Sequence, residues 1–259
     1  MNYWQKRMLK TQDALTAKTI EETEKQLVKY YSKAMKKVID SFEITYSRVL
    51  AQAEQGKEIT PALLFKLDSY WQMQGELREE LQKLGEKEIA LLSKQFEQEF
   101  QAVYEALAIP SQEAFSTISK ENMTQLINQI WAADGKSWSQ RVWDNTSKLA
   151  ETLNDELVHC VVTGKKTSQL KRKLQEKFNV SYSRADSLVR TELAHIQTQA
   201  AQKRYEDYGI KEVEVWADKD ERRCDLCGSL HKKRYPINAQ MPIPAHPNCR
   251  CCIIPVVED

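Results

Sequence analysis

Two short runs near one end of the chain offer soft metal ligands at knuckle spacing. The first is Cys224-Asp-Leu-Cys227 and the second is His246-Pro-Asn-Cys249-Arg-Cys251-Cys252. Five of the six cysteines and two of the four histidines lie in this stretch. Thiolate sulfur and imidazole nitrogen suit Zn²⁺, which takes four donors from segments that fold back on each other. The preferred set is Cys224, Cys227, His246 and Cys249. Cys251 is the substitute, since C-R-C brings two thiols within reach of one position. Cys252 is then expected on the other side of its strand, in the core. Four protein ligands leave no place for a water, so such a zinc would be structural. The competing reading is a group of reduced structural cysteines without metal. His231 is the weaker alternative to His246.

Three other groups carry chemistry. Arg190-Thr191-Glu192 resembles the charged pairs that line some transferase clefts, but a single pair on a helix reads more simply as a structural ion pair. Arginine is well suited to hold a carboxylate in two-pronged fashion, and Asp218, Asp220 and Arg222 are expected to shape the following loop and to pair with this helix. Lys165, Lys166, Lys171, Arg172, Lys173 and Lys177 form a basic run opposed by Glu176 alone. Such a run is either a solvated face or a salt-sensitive, sequence-independent contact to DNA phosphates. Cys160, His159 and His195 have no partner motif, and Cys160 is expected as a buried thiol.

The elements that must position these groups are mostly helical. The chain has 259 residues, 41% hydrophobic and 29% charged, with a formal net charge of +1. That length supports a real core, and the near-neutral balance argues against a wholesale nucleic-acid binder. Five of the seven prolines lie beyond position 230, and long stretches lack both Gly and Pro. Residues 13–54 therefore read as one amphipathic helix, with Leu27, Tyr31, Val38, Phe42, Tyr46 and Val49 on one stripe. Gly56 closes it and Thr60-Pro61 starts a second helix. A third runs from 76 to 108 and ends at Pro110. Narrow stripes on long helices suit a hairpin or coiled coil, either packed on itself or offered to partner helices.

Trp131, Trp138 and Trp143 flank the turn signal Asp134-Gly135 and read as one packing node, and a helix follows over 138–162. Two helices are predicted over 165–208, the second capped by Ser181 and stopped at Gly209. Alternation over 213–216 and the run 252–257 predict two strands, and pairing between them in a small sheet is the simplest arrangement. The fold expected is mainly α: a long N-terminal helical hairpin or bundle (1–110), a Trp-rich connector (111–164) and a small α+β domain with a Cys/His zinc-binding loop (165–259). No run of eighteen apolar residues and no signal peptide is present, so a reducing cytosol and no membrane are expected.

In order along the chain, Leu188-Val189-Arg190-Thr191-Glu192, Tyr205-x-x-x-Gly209, Val215-Trp216, Asp220-x-Arg222, the C-x₂-C and the H-P-N-C-R-C closely resemble the C-terminal domain of Mu-F-like phage head-morphogenesis proteins. Ala133-Asp-Gly-Lys-Ser-Trp138-Ser-Gln-Arg141-Val-Trp143 is similar to those from phages and prophages of Gram-positive hosts. The strong likeness covers roughly 130–257. It implies a minor head protein present in few copies, located in the capsid interior or at the portal vertex and in the host cytoplasm during assembly. Portal protein, capsid or scaffold proteins and double-stranded DNA are the partners implied, and self-association through the N-terminal helices is a further expectation. Some relatives carry toxin or transferase domains beyond the Cys/His region; with the chain stopping at Asp259, none is expected here.

Two other classes compete with this non-enzymatic reading. A zinc deaminase needs H-x-E and P-C-x-x-C, but Arg223 precedes Cys224 and no H-x-E occurs. A zinc-finger regulator needs a helix between the knuckles, and Pro236, Pro242 and Pro244 prevent one through 228–245.

Overall fold

The computed structural model describes residues 3–55, 60–107, 118–217 and 223–256. Seven helices and three strands are assigned there: α1 (Tyr3–Glu54), α2 (Pro61–Phe65), α3 (Asp68–Ala106), α4 (Lys120–Ile127), α5 (Trp138–Val162), α6 (Thr167–Asp207), β1 (Glu212–Trp216), α7 (Asp225–Leu230), β2 (Arg234–Pro236) and β3 (Cys252–Pro255). The mainly helical character and the small β component agree with the sequence reading.

Several boundaries differ from expectation. Helix α1 begins at Tyr3, not at residue 13, and α3 begins at Asp68, not at residue 76. No proline lies in either leading segment, and propagation is favourable once a nucleus exists. The two helices expected over 165–208 are one. Ser181 lies buried inside α6, not at its start. A serine caps only where the chain leaves helical geometry, and no Gly or Pro interrupts 167–207. The expected stops at Gly56 and Pro110 lie outside the described residues.

Other signals act as read. The Thr60 hydroxyl accepts the Leu63 N–H and Pro61 takes the first helical position. Gly164 and Gly209 end α5 and α6 with φ of 60° and 72°. Only a residue lacking Cβ takes that conformation without strain.

The residues fall into two compact units. The first consists of 25–90 and 139–186. In it the α1 and α3 segments run antiparallel, as the successive pairs Ser41–Glu76, Lys37–Glu80 and Tyr31–Glu88 show. Leu27, Phe42, Met73, Leu153 and Phe178 are fully buried there. Asn154 of α5 accepts hydrogen bonds from Tyr70 and Gln74 of α3. Trp143 lies over Gly85, where a Cβ would come within 2.5 Å of the indole.

The second unit consists of 1–24, 91–138 and 187–259. Its sheet has the order β2-β1-β3, antiparallel throughout. Val213 faces Pro255 and Val215 faces Ile253 across one ladder, so the two predicted strands do pair. Leu9, Cys252 and Ile254 form a buried cluster against Trp216, which puts Cys252 in the core as expected. Gln202 of α6 donates to the carbonyls of Ile237 and Ala239 and so anchors the loop after β2.

The three tryptophans have different partners. Trp131 stacks on His195, Trp138 meets Phe96 edge to face, and Trp143 packs on Gly85.

Candidate metal centre

The first knuckle is the start of α7. Cys224 is its N-cap, and the sulfur accepts the backbone N–H of Cys227 at 3.4 Å. This geometry sets both sulfurs on one side of the turn. Burial differs sharply: Cys224 is exposed and Cys227 is buried. The second knuckle is a tight turn closed by the Cys249 N–H donating to the His246 carbonyl at 3.2 Å, with Asn248 at φ 60°.

The two knuckles converge. His246 Nε2 lies 3.3 Å from Cys224 Sγ and 3.1 Å from Cys227 Sγ. Cys227 Sγ lies 3.8 Å from Cys249 Sγ. Two groups of donors, Cys224/Cys227/His246 and Cys227/Cys249/Cys251, each lie within 4.8 Å of one another. Cys227 belongs to both. All five sequence candidates are thus brought together, around one shared sulfur.

The donor types suit Zn²⁺, and Cys224, Cys227 and His246 lie within 4.8 Å of one another, whereas Cys249 joins them through Cys227 and is not within that distance of all three. With Zn–S near 2.3 Å and Zn–N near 2.0–2.1 Å, tetrahedral edges are about 3.8 Å between sulfurs and roughly 3.5 Å from sulfur to nitrogen. The Cys227–Cys249 separation matches the first, and the two His246 contacts lie slightly inside the second. The imidazole is oriented as well. His246 Nδ1 is 2.8 Å from the Pro247 carbonyl, which can only accept, so Nδ1 carries the proton and Nε2 presents its lone pair to the sulfurs.

Protonation is uneven across the cluster. The backbone N–H of Cys227 holds the Cys224 thiol below its ordinary value. Burial pushes Cys227 up to about 12. A hydrogen bond from Cys251 brings Cys249 down to about 5, and the same contact drives Cys251 upward, so one proton serves that pair. The Pro247 carbonyl raises His246. Thiols still protonated here would have to lose their protons to bind a cation, so metal uptake would release acid.

His231 is turned elsewhere. Its Nδ1 accepts the Ala217 N–H at 3.2 Å, and its ring meets Trp216 edge to face.

The Arg190-Thr191-Glu192 triplet sits beside this centre, with partners the sequence does not name. Arg190 pairs with Glu24 of α1. Glu192, buried, accepts the Trp131 indole N–H at 3.0 Å. Thr191 Oγ1 accepts the backbone N–H of Asn248 at 3.0 Å, inside the second knuckle. Asp218, Asp220 and Arg222 lie outside the described residues. Sequence reasoning misses Glu24 and Trp131 because pairings across so much chain leave no local signal.

The basic run lies in the other unit. Lys171 meets Glu43 at 3.6 Å and Lys177 meets Glu156 at 3.5 Å, while Lys173 and Arg172 both face Glu176. Lys166 is exposed and Lys165 half-buried. Cys160 is fully buried, and burial raises its thiol.

Comparison with known proteins places part of this architecture. Residues 151–254 match the phage Mu protein F like family. That segment takes in α6, both knuckles and nearly all of the three-stranded sheet. A protein of Enterococcus faecalis named NAD(+)–arginine ADP-ribosyltransferase EFV is 24% identical over 284 residues, covering 100% of this chain and 55% of that protein. The chain thus spans about half the length of that curated relative. No solved structure matches it. No helix among the described residues is long and apolar enough to cross a membrane.

Proposed function

We propose, from the Mu-F-like segment over residues 151–254, that this protein is a non-enzymatic minor head protein. It is built in during assembly in the host cytoplasm and kept in the capsid interior or at the portal vertex. Its partners are the portal protein and capsid or scaffold proteins. The family match is the observation that carries this reading. The test is co-purification from phage-producing cells. Recovery with portal protein or incomplete heads is expected, and a protein that stays free while heads assemble normally without it would overturn the reading.

The metal completes the proposal. One Zn²⁺ is held by Cys224, Cys227, His246 and Cys249, with Cys251 as the alternative fourth thiol. The sulfur and nitrogen separations support it, as does the Nδ1 proton on His246. The ion closes the loop between β1 and β3 and leaves no coordination site for a reacting water. Packaging, DNA delivery and sequence-independent DNA contact are assigned to the same protein, with the last resting on Lys165 and Lys166.

The activity in the relative's name gives the second reading, because that match runs along the whole chain. About half of the relative lies outside the match, so the named activity need not reside in the shared half. Incubation with NAD(+) and an arginine acceptor decides it. No transfer is expected, and stoichiometric ADP-ribosyl transfer would replace the assembly reading.

A further inference from the structure

We infer that Thr191 is a positioning residue for the metal centre, holding the turn that carries His246 and Cys249 in the shape the ion requires. The inference rests on the zinc reading above. Two of the four proposed ligands flank Pro247-Asn248, and Asn248 takes φ 60°, a left-handed conformation that few side chains adopt without support. The Cys249 N–H is satisfied within the turn by the His246 carbonyl. The Asn248 N–H instead leaves the turn and is accepted by Thr191 Oγ1 at 3.0 Å. That bond joins residues 57 apart in sequence.

The threonine is well suited to receive it. Its hydroxyl hydrogen is already directed to the Ser187 carbonyl at 2.6 Å, one turn back along α6, so its lone pairs face outward as an acceptor. The helix beneath is fixed on both sides of Thr191. Arg190 holds Glu24 of α1, and Glu192 holds the Trp131 indole, which itself stacks on His195 with ring centroids 4.4 Å apart. Successive residues on a helix point about 100° apart, so the three side chains engage three separate segments. Thr191 is thus an anchored post whose position does not depend on the knuckle. The turn docks on it, and His246 Nε2 then faces Cys224 and Cys227.

Metal affinity therefore depends on a residue that never touches the ion. The experiment compares zinc dissociation from wild type, Thr191→Ser and Thr191→Val by competition with a chromophoric chelator. Thr191→Val, which removes the acceptor at nearly constant volume, is expected to weaken zinc about tenfold, the low end for lost outer-shell hydrogen bonds. Thr191→Ser is expected to stay within about twofold, since it keeps the acceptor. Leu153→Ala, in the buried core of the other unit, should lower the melting temperature without changing zinc affinity.

Hydrogen exchange on zinc-loaded wild type supplies a reading that needs no variant to fold: the Asn248 amide is expected to be protected although the residue is exposed. Equal zinc affinity in wild type and Thr191→Val, or a freely exchanging Asn248 amide, overturns this inference and leaves the zinc reading intact. A wild type that binds no zinc overturns both.

Discussion

The two units gather polar groups in opposite ways. In the unit of 25–90 and 139–186 the polar cluster is sealed inside a helical core. Tyr31 donates to Glu88 at 3.1 Å, and Asn145 donates to Tyr31 and to the Ser181 carbonyl. Glu88 is fully buried, and neither its Oε1 nor Asn145 Oδ1 receives a hydrogen bond. In the other unit the sulfurs and imidazole meet beside a three-stranded sheet, with Cys224 exposed and Cys227, Cys249 and Cys251 buried. Both clusters have more acceptors than donors. In the helical core a single proton on Glu88 supplies the missing donor, whereas in the proposed metal site the thiols would give up their protons to the ion. Both units bury apolar faces of long helices, so the proposed ion would hold the Cys/His loop and not the unit as a whole.

The largest contrast is expected from the shared sulfur. Cys227→Ser removes the one donor common to both groups and should abolish tight zinc binding, with on the order of 10 kcal/mol of metal-binding free energy at stake. Limited proteolysis should then cut between 223 and 251 while the 25–90 and 139–186 unit stays resistant. Cys251→Ser, which leaves the preferred four, should keep the metal. Loss of zinc in Cys251→Ser would exchange the roles of Cys249 and Cys251, and retention of zinc in Cys227→Ser would remove the site as described.

Glu88 sharpens the comparison from the other side. Burial raises its carboxyl from the ordinary 4.5 to about 7. The sign follows from which state holds the proton. Below 4.5 both folded and unfolded chains are protonated, and the neutral acid is buried at no ionic cost. As pH rises from 4.5 to about 7 the unfolded chain loses its proton first, so folding stability falls and then levels off. The loss amounts to at most about 3 kcal/mol. Glu88→Gln should remove this dependence and raise stability at about pH 8 while changing little at about pH 4. Urea denaturation at the two pH values checks it, and an unchanged pH profile would refute the buried-acid account. Zinc affinity should not respond.

Two glycines of α3 should give smaller effects of opposite sign. A Cβ added at Gly75 would meet nothing within 4 Å, so Gly75→Ala should gain about 0.5–1 kcal/mol from helix propensity alone. Gly85→Ala drives a Cβ to 2.5 Å from the rigid Trp143 ring, and overpacking of about 1–3 kcal/mol outweighs that gain. Thermal melting of the pair decides whether Trp143 is seated as described. The smallest effect is expected from Lys165→Ala with Lys166→Ala: a slight, salt-sensitive weakening of DNA retention in a mobility-shift assay. Their neighbours at 171–177 already face carboxylates. Unchanged retention would remove DNA contact from the proposed roles of this run.

How much the residues announce in advance depends on the range of the interaction. The α1 stripe from Leu27 to Val49, the Thr60-Pro61 start, the Gly209 stop and the pairing of 213–216 with the closing strand all rest on local rules, and the structure has them. The convergence of two knuckles is legible too, because ligand spacing is itself a local pattern. Helix starts without a strong cap are harder to place, and periodicity alone sets α1 and α3 too late. Ser181 has the residue type of a boundary yet is a buried part of α6. Thr191 shows the other limit. Its triplet stands out, but that its hydroxyl meets a backbone amide 57 residues away is fixed only by tertiary packing.

The most direct test is the metal itself. Protein purified without chelator should contain about one zinc per chain, and stripping it should lower the melting temperature and expose the 223–251 loop to protease. Protein that carries no zinc, and melts identically with and without chelator, would contradict the account.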